Sequence, residues 1–98
     1  MLEKSVERHL VESVKDLGGE TRKVKWIGRS NAPDRRIMIP HAGCAWVELK
    51  RPGKTATAAQ TREHTRMRAL GETVVVLDSI GAVDKFLYHF CAAGVSCF

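Results

Sequence analysis

A chain of 98 residues, read as one domain over residues 1–98, buries roughly 60–70% of its unfolded surface and leaves no room for a second core. No apolar run approaches the roughly 20 residues that span a bilayer, and the charged start from Met1 to Glu7 lacks the apolar segment of a secretory signal, so a soluble cytoplasmic protein without a membrane partner is expected. A net charge of +5 points to a polyanionic partner, while three cysteines (Cys44, Cys91 and Cys97) without metal-type spacing read as small buried hydrophobes rather than as ligands or bridges.

Leu2, Val6, Leu10, Val14 and Leu17 recur at helical spacing, and Gly18-Gly19 supplies the stop, so the chain opens with an amphipathic helix. From Thr21 to Ile27 polar residues alternate with Val24 and Trp26, which predicts a half-exposed strand whose rim carries Lys23 and Lys25. Gly28 to Pro33 is a polar loop bearing Arg29, and Pro33 fixes the backbone just ahead of Asp34. Two β-like runs follow, Arg35 to Pro40 and Cys44 to Lys50, joined by His41-Ala42-Gly43, where glycine can take the positive φ of a three-residue hairpin loop. Such a loop sets even positions opposite even ones. Ile37, Ile39, Val47 and Leu49 then share an apolar face, and Asp34, Arg36, Glu48 and Lys50 share a charged one. Two carboxylates and a lysine at one end of a hairpin make a divalent-cation site with an adjacent cationic group, a combination that phosphodiester hydrolysis can use.

Past the basic turn Arg51-Pro52-Gly53-Lys54-Thr55, a helix is predicted from Thr57 to Leu70, with Thr57 as its N-cap and Gly71 as its C-cap. Gly53-Lys54-Thr55 imitates the end of a phosphate-binding loop, but that motif needs glycine where Glu48 stands, so no nucleotide cofactor is expected. Glu72 to Asp78 is a β-branched run that fits a buried strand, and the intervening helix implies that it pairs parallel to the Glu48 strand. Ser79 can cap a last helix with Ile80, Val83, Phe86, Leu87 and Phe90 on one side. That stripe, with Val95 and Phe98 of the apolar tail from Cys91 to Phe98, is read as a homodimer interface.

Pro33-Asp34 followed by Glu48-Leu49-Lys50 resembles the Pro-Asp…(Asp/Glu)-x-Lys signature of the PD-(D/E)XK nuclease superfamily. Order and spacing are most similar to its virus-type replication-repair branch, VRR-Nuc, and the similarity runs from the first helix to about Phe90. Gln60-Thr61-Arg62-Glu63-His64 resembles the Gln-x-x-x-His segment of that branch, and Glu7-Arg8-His9-Leu10-Val11 resembles a segment of archaeal Holliday-junction resolvases. The resemblance implies an α/β (α+β mixed sheet) fold, a restriction-endonuclease-like αβββαβ core with an additional C-terminal helix. It further implies Mg²⁺ or Mn²⁺ held by Asp34, Glu48, the backbone carbonyl of Leu49 and a first-helix glutamate, for which Glu7 is chosen over Glu3. Gln60 would lie beside that site, and Lys50 would orient the attacking water.

The function expected is therefore Mg²⁺-dependent DNA cleavage by a homodimeric endonuclease selective for branched or four-way-junction DNA, in a bacterial cytoplasm or as a phage protein in its host. Lys23, Lys25, Arg29, Arg35, Arg36, Lys54 and Arg62 are the expected phosphate contacts, joined by Arg66 and Arg68 of the same helix. The rival readings are a non-catalytic DNA-binding protein of this fold, a sequence-specific restriction-type enzyme, and a basic interaction protein whose acidic pair merely neutralises Lys50. The chain is short for a dedicated base-reading subdomain, which disfavours the restriction-type reading.

Overall fold

The apolar row of the first helix decides how the sheet is covered. In the computed structural model, which describes residues 3–93, α1 (Glu3–Asp16) lays Val6, Leu10 and Val14 wholly out of water. Each such side chain contributes on the order of 1.5–3 kcal/mol. The helix ends one residue before Leu17, which is exposed instead of continuing the stripe. Gly18 takes φ +80°, its N–H bonds to the Lys15 carbonyl, and the Gly19 N–H bonds to that of Val14, so the glycine cap turns the chain before Leu17 can reach the core. A Cβ on Gly19 would collide with the Met38 carbonyl, so glycine is also what lets the chain pass this close to the sheet. Leu2, expected at the start of the stripe, lies outside the described residues.

β1 (Glu20–Lys23) is shorter than the strand expected from Thr21 to Ile27. After Lys23 one further link remains, from the Val24 N–H to the Asp34 carbonyl at 3.1 Å, and the chain then swings towards the second helix. The alternation misled because Trp26 leaves the strand to pack on Trp46, with ring centroids 5.5 Å apart, while Ile27 stands 99% exposed.

The hairpin has the expected parity. β2 (Arg35–Ile39) and β3 (Gly43–Leu49) pair Arg36 with Trp46 and Met38 with Cys44, even positions against even. Gly43 adopts φ 112°, and His41 shares the demand with φ 64°. α2 (Ala58–Ala69) begins in a full capping box: Thr57 Oγ1 accepts from the Gln60 N–H, and the Gln60 side-chain oxygen accepts from the Thr57 N–H. Leu70 is its C-cap, and Gly71 at φ 94° supplies the left-handed turn just beyond. β4 (Val74–Leu77) and α3 (Ile80–Ala93) complete the order αβββαβα, with Ser79 Oγ accepting from the Ala82 N–H at the start of α3.

The sheet runs β1-β2-β3-β4. The first three strands are antiparallel and β4 lies parallel to β3, with Glu48 opposite Val76. Ile37, Ile39, Ala45, Val47 and Leu49 meet α1 and the Val83, Leu87 and Phe90 row of α3 in one core. The charged face carries its own cover: α2 packs over it, burying His64, Glu63 and Met67, and Glu48 is only 3% exposed.

The α3 stripe packs within the chain, with Val83, Leu87 and Phe90 buried and Phe86 packed against the same core and stacked on Phe90. Val95 and Phe98 lie outside the described residues, as does Cys97. One expectation, for the cysteines, needs correction. Cys91 is a half-buried free thiol, but Cys44 is disulfide-bonded, its half-buried place at the start of β3 being no core position.

Candidate active site

Asp34 enters β2 behind the fully buried Pro33, one step beyond the pairing of Arg35 with Val47, which sets it across from Glu48. Its Oδ2 accepts the Leu49 N–H at 2.6 Å, a charge-assisted bond that fixes the carboxylate at the end of β3. Glu48 hydrogen-bonds the same carboxylate. Burial, then the bond to Asp34 and its charge, pushes the Glu48 carboxyl up to about 8, while Lys50 pulls the other way.

Three side chains ring Glu48. Lys50 Nζ lies 3.9 Å from Oε2, Gln60 Nε2 donates to Oε2 at 3.5 Å, and His64 Nε2 lies 3.5 Å from Oε1. The histidine contact is not an ion pair. Burial first, and then the positive charge of Arg68, lowers the His64 pKa as burial raises that of Glu48, so the surroundings disfavour charge on both groups. Glu48 Oε1 and His64 Nε2 are buried without a hydrogen-bond partner among the described residues. A buried carboxylate oxygen left without a donor, beside a second carboxylate, is an unfavourable arrangement that a cation would relieve.

The donors suit a hard divalent ion. Among the described residues no three His, Cys, Asp or Glu side chains gather into a metal cluster; the acids that meet here are two, Asp34 and Glu48. A pair of carboxylates is compatible with magnesium, which keeps several of its own waters and needs few protein oxygens.

The first-helix acids differ in what they touch. Glu7 is committed to Arg35, whose Nε donates to its Oε2 at 3.0 Å and whose NH1 reaches Thr21 Oγ1 at 3.2 Å. Glu3, one turn earlier, is exposed and forms no ion pair among the described residues.

The expected phosphate contacts divide in the same way. Arg35 is held in that half-buried pair, and Arg36 lies 4.5 Å over the Trp46 ring, donates to Cys44 Sγ and sits 3.6 Å from Glu72. Both are tied into the sheet by these contacts. Lys23, Lys25, Arg29, Lys54 and Arg62 are exposed, as are Arg66 and Arg68, although Arg68 donates twice to the Val74 carbonyl. Glu63 is the residue that sequence reading missed: it is 7% exposed and joins α2 to the loop after β1 by accepting from Trp26 and Arg29. A signal was present, since Ala59, Glu63 and Met67 stand at four-residue spacing and so set an acid in the same row as a core methionine.

No family model matches the chain. It is 46% identical over 77 residues to "Putative nuclease p44" of Acyrthosiphon pisum secondary endosymbiont phage 1, covering 79% of this chain and 83% of that protein. Among solved structures it is similar to one titled "VRR_NUC domain", with a TM-score of 0.84 and 36% identity over 89% of this chain and 95% of the other.

Proposed function

The chain belongs to the virus-type replication-repair nuclease family, VRR-Nuc, within the PD-(D/E)XK superfamily, and from that premise we propose that it is a Mg²⁺-dependent DNA endonuclease selective for branched DNA. The observation that carries the metal dependence is Glu48, a carboxyl buried against Asp34 with an oxygen that no donor satisfies. When bound there, the ion would activate water and offset charge on the phosphate.

The residues around it have separate tasks. Asp34, fixed by the Leu49 N–H, and Glu48, steadied by Gln60, supply anionic oxygens at set positions. Glu3, which unlike Glu7 has no ion pair among the described residues, would add negative charge from α1. Lys50, anchored by its own N–H on the Leu77 carbonyl at 3.0 Å, holds its ammonium beside Glu48, where it can orient the attacking water and oppose charge building on the pentacoordinate phosphate. His64 closes the inner wall of the site and keeps bulk water from Glu48.

Support for branched DNA comes from a basic rim, with Lys23, Lys25, Lys54 and Arg62 exposed, that can track phosphates by shape and not by base sequence. The same reading places the enzyme in a bacterial cytoplasm, as a cellular or a phage protein, and has two copies acting on one junction through a surface other than the internal row of α3. Labelled four-way junction, flap, single-stranded and linear duplex DNA incubated with Mg²⁺, Mn²⁺ or EDTA test it. Cleavage of the junction in Mg²⁺ that EDTA abolishes is expected. Equal rates on linear duplex overturn the selectivity, and cleavage that persists in EDTA overturns the metal dependence.

A further inference from the structure

On the flank of α2 that meets the loop after β1 lies a polar cleft of about 230 Å³. Arg29, Ser30 and Asn31 line it from the loop, and Arg62, Glu63 and Arg66 line it from the helix. Three guanidinium groups are thus brought together from two distant segments.

Glu63 is what permits this. Its Oε1 accepts from Arg29 at 2.7 Å and lies 3.9 Å from Arg66, while its Oε2 accepts from the Trp26 indole at 3.1 Å. Both oxygens are engaged, and the Arg29 hydrogen bond holds the carboxyl below the usual glutamate value, so it stays ionised as a fixed counter-charge. Three arginines less one glutamate leave a surplus of two positive charges in the cleft. Arg62 forms no ion pair among the described residues, and Arg29 and Arg66 keep half or more of their side chains in contact with solvent, at 50% and 57% exposure. Each guanidinium has five N–H donors, far more than Glu63 takes up. The loop side adds a serine hydroxyl and an asparagine amide, with Asn31 held at φ 68°.

Size and position narrow the ligand. Pockets for drug-sized ligands start at about 300 Å³, so this cleft suits a phosphate group better than a nucleoside. Arg62 and Arg66 follow Gln60, which touches Glu48, by two and six residues, roughly 3–9 Å along the helix axis and about 120–160° around it, so the cleft lies on the flank of α2 turned away from Glu48.

We propose that this cleft binds one backbone phosphate of the DNA strand away from the bond that is cut, and thereby sets the register of the strand. The proposal rests on the nuclease reading and deepens it. Its test uses binding in EDTA, so that it does not depend on cleavage. Duplex and junction DNA carrying a single uncharged methylphosphonate linkage, moved one position at a time across the footprint, are titrated against wild type, Arg62→Ala and Arg62→Glu. Arg62 is exposed and unpaired, so both variants should fold, which circular dichroism checks. Neutralising one position is expected to weaken wild type roughly tenfold and to leave Arg62→Ala nearly unaffected, with the salt slope of that variant shallower by about 0.7–0.9. If no position couples to Arg62 while the protein still cleaves DNA, the cleft assignment falls and the nuclease reading stands. Coupling in a protein that never cleaves leaves the phosphate site and removes the nuclease reading. A second arm compares 5′-phosphorylated with 5′-hydroxyl strands and adds inorganic phosphate as competitor. Coupling confined to the terminal phosphate, or Arg62-dependent binding abolished by inorganic phosphate at the same ionic strength, overturns the backbone assignment.

Discussion

Asp34, Glu48 and Lys50 stand out in the sequence as a motif, whereas helical spacing sets Glu3 and Glu7 one turn apart on the same side and does not choose between them; the structure adds that Glu7 is paired with Arg35. Glu7→Gln is therefore expected to cost about 1–2 kcal/mol of stability, between the values for exposed and buried ion pairs, because it strands a half-buried Arg35, and to leave metal affinity nearly intact. Glu3→Gln should do the reverse, and calorimetric Mg²⁺ titration beside thermal melts of the two variants separates them. Lys50→Ala should keep metal and DNA binding while losing on the order of 10²–10³ in rate, since its role arises in the transition state. A Lys50→Ala enzyme that cleaves normally in single-turnover assays would move the lysine to the rim. Glu48→Gln should abolish cleavage without lowering the melting temperature at neutral pH, because a neutral amide suits that buried place as well as a carboxyl does.

At the scale of elements, the hairpin, the capped α2 and the parallel β4 followed from periodicity, parity and turn residues, all of them local rules. The loop after β1 did not. Its path is set by Trp26 meeting Trp46 and by Glu63 drawing in Trp26 and Arg29, contacts that span more than thirty residues of chain and that alternation cannot report. That clasp should show in acid. Arg29 lowers the Glu63 pKa from its ordinary 4.5, so the carboxylate's contribution to stability is present above that value and is lost as pH falls through the lower folded value. The stability gap between wild type and Glu63→Gln, measured by denaturant melts, should be open at pH 6 and close progressively below about pH 4.5. A gap that does not change with pH would mean that the carboxylate carries no such linkage.

For the whole molecule, charge points to a nucleic-acid partner, but the sequence cannot tell an arginine facing solvent from one engaged within the fold. Arg35 and Arg36 are engaged, with Glu7 and with Trp46, and substituting them should lower the melting temperature more than it shifts the salt dependence of DNA binding. The apolar stripe of α3 is subject to the same limit: amphipathicity shows that a face is covered, not what covers it. Phe86→Glu is therefore expected to reduce stability, by about 1–3 kcal/mol, rather than to split a dimer. Sedimentation of wild type and variant at micromolar concentration checks this, and a folded Phe86→Glu monomer derived from a wild-type dimer would restore the α3 interface.

Gln60 works with both ends of one amide. Its oxygen closes the capping box on the Thr57 N–H, and its nitrogen faces Glu48, so the first turn of α2 and the aim of the buried acid are set by the same rotamer. Glutamate and glutamine serve equally well in a capping box, yet only glutamine presents a donor to the neighbouring acid. The position thus reads as two overlapping texts, one about where a helix starts and one about which way a ligand points, and a single-atom change can edit one without the other. Gln60→Glu keeps the first and erases the second: the helix persists, while Glu48 gains an anionic neighbour and loses its guide.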